Sequence, residues 1–175
     1  RAGQRVVTAI LFYEPWGEQT HDLFDPMVQT TKKSDGSWAY DYTVFDKYVE
    51  LCAEYGIDKQ INCFSMVPWD MSFRYFDEAS NSYKYITTTT STAQYRELWT
   101  SFLKAFKSHL QQKGWFEKTN IAMDERAESD MLNAYNIANS MGFKMALAGN
   151  YHSSLSDKLQ EFCVALGQDK LFTAA

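Results

Sequence analysis

A chain of 175 residues with 45% hydrophobic and 16% aromatic content can bury a sizeable core and suits one domain, or a piece of a larger one. Twenty-two acidic against seventeen basic residues leave a net charge of −5 with no dense Lys/Arg run, which argues against nucleic acid or an anionic membrane surface as partner. No apolar stretch approaches the ~20 residues needed to cross a bilayer, so membrane insertion is not expected. The chain opens Arg-Ala-Gly-Gln, without a signal-like segment, and any export signal is expected to have been removed or never to have been present.

Taken in order, Val6 to Phe12 (VVTAILF) is an apolar, β-branched run of the kind expected of a strand covered on both faces. The segment Tyr13 to Tyr40 carries Pro15, Trp16, Gly17, Pro26, Gly36 and Trp38 and reads as a long loop rich in aromatics and turn formers. Asp41 can cap a helix whose apolar positions Val44, Phe45, Tyr48, Val49, Cys52 and Tyr55 repeat at helical spacing, with Gly56 where a stop belongs. Lys59 to Phe64 (KQINCF) is a second strand with Asn62 as a polar intruder near its end. Ser65 to Ser91 is again long and loop-like, with Pro68, Trp69, Arg74 and a threonine run from Thr87 to Thr90 that resists regular helix. A helix from about Thr92 to Lys113 follows, its stripe formed by Tyr95, Trp99, Phe102, Leu103, Phe106 and Leu110, and Gly114 ends it.

The next strand, Ile121 to Met123, ends abruptly in Asp124, Glu125 and Arg126. In parallel α/β architectures the carboxyl end of a strand faces the loops that build the site, which makes Asp124 and Glu125 catalytic candidates. Acidic residues also collect where helices begin, because they favour the positive end of the helix dipole, so the pair has a structural reading as well. A helix from Ala127 to Met141 leads through Gly142 to a strand, Lys144 to Ala148, that runs into Gly149-Asn150-Tyr151-His152. Ser156 to Gln160 reads as a short helix and Phe162 to Leu166 as a further strand, although the latter run can equally continue the helix.

Cys52, Cys63 and Cys163 are an odd number set in apolar runs, so buried free thiols are expected rather than a disulfide framework. His21, His109 and His152 show no metal-binding spacing; no metal site and no cofactor are expected.

The connections carry the fold-level argument. Helix-to-strand links are short, whereas two strand-to-helix links exceed twenty residues and hold three of the five tryptophans and all three prolines. Loop material heaped at strand carboxyl ends marks the active-site side of a (β/α) barrel. Four or five β/α units leave open sheet edges, and closure takes eight. The expectation is an α/β chain in which residues 1–175 form a single domain, a fragment of a partial (β/α)8 TIM-type barrel with long loops at the strand C-terminal ends.

Several segments, in their shared order, resemble the catalytic domain of glycoside hydrolase family 123. They are Val6-Val7-Thr8-Ala9-Ile10 with Pro15-Trp16, Gly36-Ser37-Trp38 with Phe45-Asp46-Lys47-Tyr48, Ile61-Asn62-Cys63 to Pro68-Trp69, and Phe73-Arg74-Tyr75-Phe76-Asp77. Lys113-Gly114-Trp115-Phe116, Ala122-Met123-Asp124-Glu125-Arg126 and Leu147-Ala148-Gly149-Asn150-Tyr151-His152 continue the match over nearly the whole chain. The resemblance implies a (β/α)8 barrel extending beyond this chain, a secreted or periplasmic setting, and hydrolysis of β-linked N-acetylgalactosamine from a glycan or glycoconjugate. It also implies an adjacent Asp-Glu pair as the catalytic unit, here Asp124 and Glu125.

Adjacent carboxylates suit that chemistry. An ordinary retaining glycosidase needs two carboxyl groups ~5 Å apart on opposite sides of the scissile bond, and sequence neighbours flank a sugar poorly. A 2-acetamido substrate supplies its own nucleophile, leaving the protein to provide one acid/base, Glu125, and one group that orients the acetamide, Asp124. Trp16 and Trp69 can stack on a sugar face or plug their loops to the scaffold. Asn62, Asn150, Tyr151 and His152, read at or beyond strand ends, can bond sugar hydroxyls or the acetamide oxygen. Arg74 can hold Asp77, and Arg126 can pair with Glu128 or Asp130. Two other readings stand beside this one: a catalytically silent carbohydrate-binding barrel, and a hydrolase of another 2-acetamido sugar such as β-N-acetylglucosamine.

Overall fold

The computed structural model describes residues 3–23 and 25–168. Five strands, β1 (Val6–Ile10), β4 (Gln60–Phe64), β7 (Thr119–Asp124), β8 (Lys144–Gly149) and β9 (Glu161–Val164), form one sheet in the order β1-β4-β7-β8-β9. Every pairing in it is parallel, and neighbours in space follow one another along the chain. Helices α1 (Thr43–Glu54), α2 (Ala93–Gln112) and α3 (Glu128–Ser140) connect the first four of these strands. The strand order is that of consecutive (β/α) units, but the sheet is open at β1 and β9, and no closed barrel forms among the described residues.

The two long links are not the loops expected from sequence. Each folds into an antiparallel hairpin: β2 (Gln29–Lys32) with β3 (Trp38–Asp41), and β5 (Ser72–Asp77) with β6 (Ser82–Thr87). Parallel pairing of Thr31 with Phe76 and Lys32 with Asp77 joins them into a second sheet, β3-β2-β5-β6. Glu78 fastens the junction, accepting the Ser34 amide at 2.8 Å and Lys33 Nζ at 3.1 Å. These strands escaped the sequence because β2 is nearly all polar (QTTK) and β6 is almost wholly exposed, so neither shows an apolar run.

Strand alternation divides the five-stranded sheet into two faces. Val7, Ala9, Ile61, Cys63, Ile121, Met123, Met145 and Leu147 enter the core that holds Phe45 and Val49 of α1, Trp99, Phe102 and Phe106 of α2 and Ala134 and Ala138 of α3. The alternate positions, among them Thr8, Asn62, Asn120 and Glu161, belong to the opposite face. Asn62 was read near the end of its strand, but it lies mid-strand, where its Nδ2 donates to Glu161 Oε2 (2.9 Å) and its Oδ1 accepts from Gln60 and Asn120 (3.0 Å each).

Helix starts and stops follow local chemistry. The Thr92 side chain accepts the Tyr95 amide at 3.1 Å and begins α2 where the sequence placed it. Asp41 ends β3 rather than standing at the cap itself, yet its carboxylate takes the Thr43 amide at 2.8 Å. Ser156 to Gln160 is not a helix but a set of turns after His152, pinned by the fully buried Leu155, and β9 follows where a strand was one of the two readings. The thiols also differ from expectation: Cys63 is buried, Cys52 half-buried and Cys163 exposed, because β9 is an edge strand whose alternate face is uncovered. No helix among the described residues is long and apolar enough to cross a membrane.

The second sheet is docked through aromatics. Phe12, just beyond β1, meets Phe73 of β5 at 5.5 Å and Trp99 and Phe102 of α2 at 5.1 and 5.2 Å, mostly edge to face. Trp99 is fully buried within this cluster. Trp99→Ala is expected to cost about 3–5 kcal/mol of stability, whereas Leu51→Ala, at an exposed position on α1, should stay within about 0.5 kcal/mol; denaturant unfolding of the two variants checks the contrast.

Candidate active site

The carboxyl ends of β1, β4, β7 and β8 lie side by side, with Ile10 opposite Phe64, Phe64 opposite Ala122, and Asp124 opposite Ala148. Asp124 is therefore the last residue of a central strand, and Glu125 is the first residue beyond it. Alternation and the chain's exit from the sheet separate their environments: Asp124 is half-buried and Glu125 is exposed.

Burial raises the Asp124 carboxyl above its ordinary pKa, against a hydrogen bond from Trp16 and the charge of Arg126, which pull it down. Trp16 lies 5.7 Å from the ring of Phe64 while bonding Asp124, so it fixes the carboxylate rather than standing free. Trp69 is 41% exposed, and the Arg126 guanidinium lies over its ring at 4.3 Å and donates to its carbonyl oxygen at 3.2 Å. Arg126 thus joins two loops, in place of the expected pairing with Glu128 or Asp130. Trp69, Glu125, Arg126 and Ala127 line an open cleft of about 520 Å³. The loops carrying the two tryptophans hold each other, with the Trp69 amide donating to Pro15 O at 3.0 Å.

From the β8 side, Asn150 Nδ2 donates to Glu125 Oε1. Gln168 Nε2 donates to Asn150 Oδ1 at 2.7 Å, and the Tyr151 amide donates to Gln168 Oε1 at 2.6 Å. The Tyr151 ring lies parallel to Phe162 at 6.2 Å, and His152 follows with its Nε2 buried and without a hydrogen-bond partner. Of the residues singled out from sequence, Asp124, Glu125, Trp16, Trp69 and Asn150 converge, and Tyr151 and His152 continue the same segment. Asn62 does not join them: its register partner Asn120 is four residues before Asp124, roughly 13 Å back along the strand. Arg74 does not hold Asp77 either. It pairs with Asp25 at 2.8 Å between the rings of Tyr13 and Tyr83, and Lys84 takes Asp77. Among the described residues no three His, Cys, Asp or Glu side chains gather as a metal site.

Sequence reasoning missed two participants. Gln168 lies far along the chain, just after a turn at Leu166 and Gly167, and nothing in its surroundings signals a contact with Asn150. Gly149 was read only as the residue that follows a strand, but it ends β8 and its backbone lies against Glu125: a Cβ there would stand 2.6 Å from Glu125 Cβ and 3.1 Å from its Cα. Only glycine allows this approach. Gly149→Ala is expected to displace Glu125 and lower kcat/KM by about a hundredfold while the protein stays folded, measured by steady-state kinetics beside circular dichroism.

Comparison with curated proteins returns no match. Among solved structures the chain is similar to a family 123 glycoside hydrolase from Clostridium perfringens, described in a structural analysis of glycolipid glycan hydrolysis, with 33% identity and a TM-score of 0.86. That match covers 94% of this chain and 31% of the other, so the chain spans about a third of the length of that protein. The family model of the glycoside hydrolase 123 catalytic domain matches residues 1–174. The open sheet of consecutive β/α units is thus part of a wider likeness, and the chain belongs to the catalytic-domain family of glycoside hydrolase 123.

Proposed function

We propose that the chain forms the catalytic part of a glycosidase that removes β-linked N-acetylgalactosamine from glycoconjugates with retention of configuration, the substrate's own acetamide acting as nucleophile. The observation that carries this reading is the contrast between neighbours at one strand end: a half-buried Asp124 bonded by Trp16, and an exposed Glu125 lining a cleft with Trp69. Two carboxylates leaving one strand end do not flank a glycosidic bond from opposite sides, which speaks against a direct two-carboxylate displacement. They serve different parts of one sugar instead. The open five-stranded sheet is read as part of a (β/α)8 barrel, in keeping with its sequential parallel order, and the enzyme is assigned a secreted or periplasmic setting.

In the first step the acetamide oxygen attacks the anomeric carbon, the bond to the leaving oxygen breaks, and that oxygen takes the proton of Glu125. Asp124 accepts the acetamide N–H and stabilises the positive charge of the oxazolinium-like intermediate. In the second step water attacks the anomeric carbon, its proton passes to the Glu125 carboxylate, and the acetamide oxygen is released. Two inversions give retention. Trp69 offers an aromatic face beside Glu125, and the glycolipid glycan hydrolysis described for the Clostridium perfringens protein supports a glycoconjugate substrate.

Full-length polypeptide carrying this chain is expected to cleave an aryl β-N-acetylgalactosaminide, to cleave the corresponding N-acetylglucosaminide less well, and to leave the plain β-galactoside intact. Cleavage of the galactoside would sink the acetamide mechanism, and glycan binding without any turnover would leave only a binding module. Glu125→Gln should lose about 10²–10⁴-fold on a substrate with a poor leaving group and far less on an activated one; equal losses would argue against the acid role.

Asp124 must be ionised to accept the acetamide N–H, so kcat/KM rises with pH through its pKa. Because burial holds that pKa up, the acid limb of the pH profile is expected above the ordinary aspartate value of 3.8, and Asp124→Asn should abolish the limb. A limb at or below the ordinary value in the native protein would contradict the assignment.

A further inference from the structure

The hydrogen bonds that reach Glu125 begin at a group whose polarity is not adjustable. A main-chain N–H only donates, so the Tyr151 amide, 2.6 Å from Gln168 Oε1, requires the carboxamide oxygen of Gln168 to face it. The Gln168 nitrogen is then turned toward Asn150, where it donates to Oδ1 over 2.7 Å. With its oxygen taken, Asn150 presents Nδ2 to Glu125 and donates to Oε1. A side-chain amide alone fits either way round. Anchored to a backbone N–H, this chain of amides runs in one direction.

We propose that the directed relay Tyr151–Gln168–Asn150 gives the two oxygens of Glu125 different tasks: Oε1 is held as a hydrogen-bond acceptor, and Oε2 carries the proton exchanged with the glycosidic oxygen. This rests on the reading of Glu125 as the general acid and base. A proton on Oε1 would meet the Asn150 N–H head on, whereas a proton on Oε2 does not. In the first step the O–H bond at Oε2 breaks, and the leaving oxygen keeps the electron pair of its former bond to the anomeric carbon and takes the proton. In the second step water returns a proton to Oε2. Gln168 touches no reacting atom and is a positioning residue acting through Asn150. The ionisable groups on the segments around Glu125 are Asp124, Arg126 and Glu128 beside it, Asp70 on the loop after β4, and Tyr151 and His152 beyond β8; none is altered in the tests.

Gln168→Glu keeps the acceptor for the Tyr151 amide but has no N–H to give. Asn150 then turns over, donating to the new carboxylate and presenting Oδ1 to Glu125. An acceptor facing Oε1 favours the protonated carboxyl, so the alkaline limb of kcat/KM, where the acid is lost, is expected to move up by about one pH unit on an aryl 2-acetamido glycoside with a poor leaving group. Repulsion from the added charge alone acts in the same sense, so the substitution is repeated in an Asn150→Ala background, where only that repulsion remains and the movement should be clearly smaller. An unmoved limb in Gln168→Glu, or an equal movement with and without Asn150, overturns the relay. Should Gln168→Glu fail to fold, Asn150→Asp tests the next link: it still accepts from Gln168 but cannot donate to Glu125, the same upward movement is expected, and a limb left in place overturns the proposal. Failure of the underlying acid assignment is read separately, as undiminished activity of Glu125→Gln with the relay intact.

Discussion

Edge-to-face packing of Phe12, Phe73, Trp99 and Phe102 is the contact on which the relation between the two sheets depends. Phe12 continues β1, Phe73 belongs to β5, and Trp99 and Phe102 come from α2, so one cluster ties a strand of the parallel sheet, an inserted hairpin and a covering helix together. Tyr40 of β3 adds a contact to Phe102 at 5.2 Å, and Tyr95 of α2 donates to Met66 O at 2.7 Å in the loop after β4. Burial of such large rings supplies the apolar area that the mostly polar strands β2 and β6 do not. Without it the hairpins would have pairing but no core, which is marginal in water.

The cleft inherits its rigidity from this packing. Non-glycine residues hold left-handed φ at Glu14 and Glu18 in the loop after β1 and at Met71 in the loop after β4. Such conformations cost of order 1–3 kcal/mol each and persist only where the surroundings over-determine them. Here the loops bind each other through the Trp69 amide and Pro15, and Gly17 lies so close to Trp69 and Asp70 that an added Cβ would stand 3.0 Å from Asp70 Oδ1. The two tryptophans are thereby placed for different work: Trp16 bonds Asp124, and Trp69 lines the opening beside Glu125. A half-buried and an exposed carboxylate thus stand one residue apart, each held by a different neighbour, Asp124 by Trp16 and Glu125 by Asn150.

The sheet face away from the helices follows a different rule. Gln60, Asn62, Asn120 and Glu161 satisfy one another across β4, β7 and β9, so the polar residues that interrupt these strands are cross-strand ties. Gln60, Asn120 and Glu161 lie toward the amino ends of their strands and Asn62 at the middle of β4, away from the end that carries Asp124. The proposed site and these ties thus occupy different levels of the same strands.

What the sequence alone determined is whatever is local. Apolar runs and helical stripes located four strands of the main sheet and the three helices to within a few residues, and offered the fifth strand as one of two readings, because burial against neighbours imposes period 2 or 3.6 on the residues themselves. Charge following Met123 marked the end of β7, and the motifs in their shared order pointed to the family. Tertiary structure decided the rest. The hairpins of the second sheet are stabilised by the pairing of β2 with β5 and by rings from α2, partners that no window of sequence contains. Asn62 and Asn150 look alike in sequence, yet register places one among cross-strand ties and the other on Glu125. The fit of Gly149 against Glu125 and the reach of Gln168 to Asn150 exist only once β7, β8 and β9 lie side by side, since van der Waals contact and hydrogen-bond direction depend on distances in space rather than spacing along the chain.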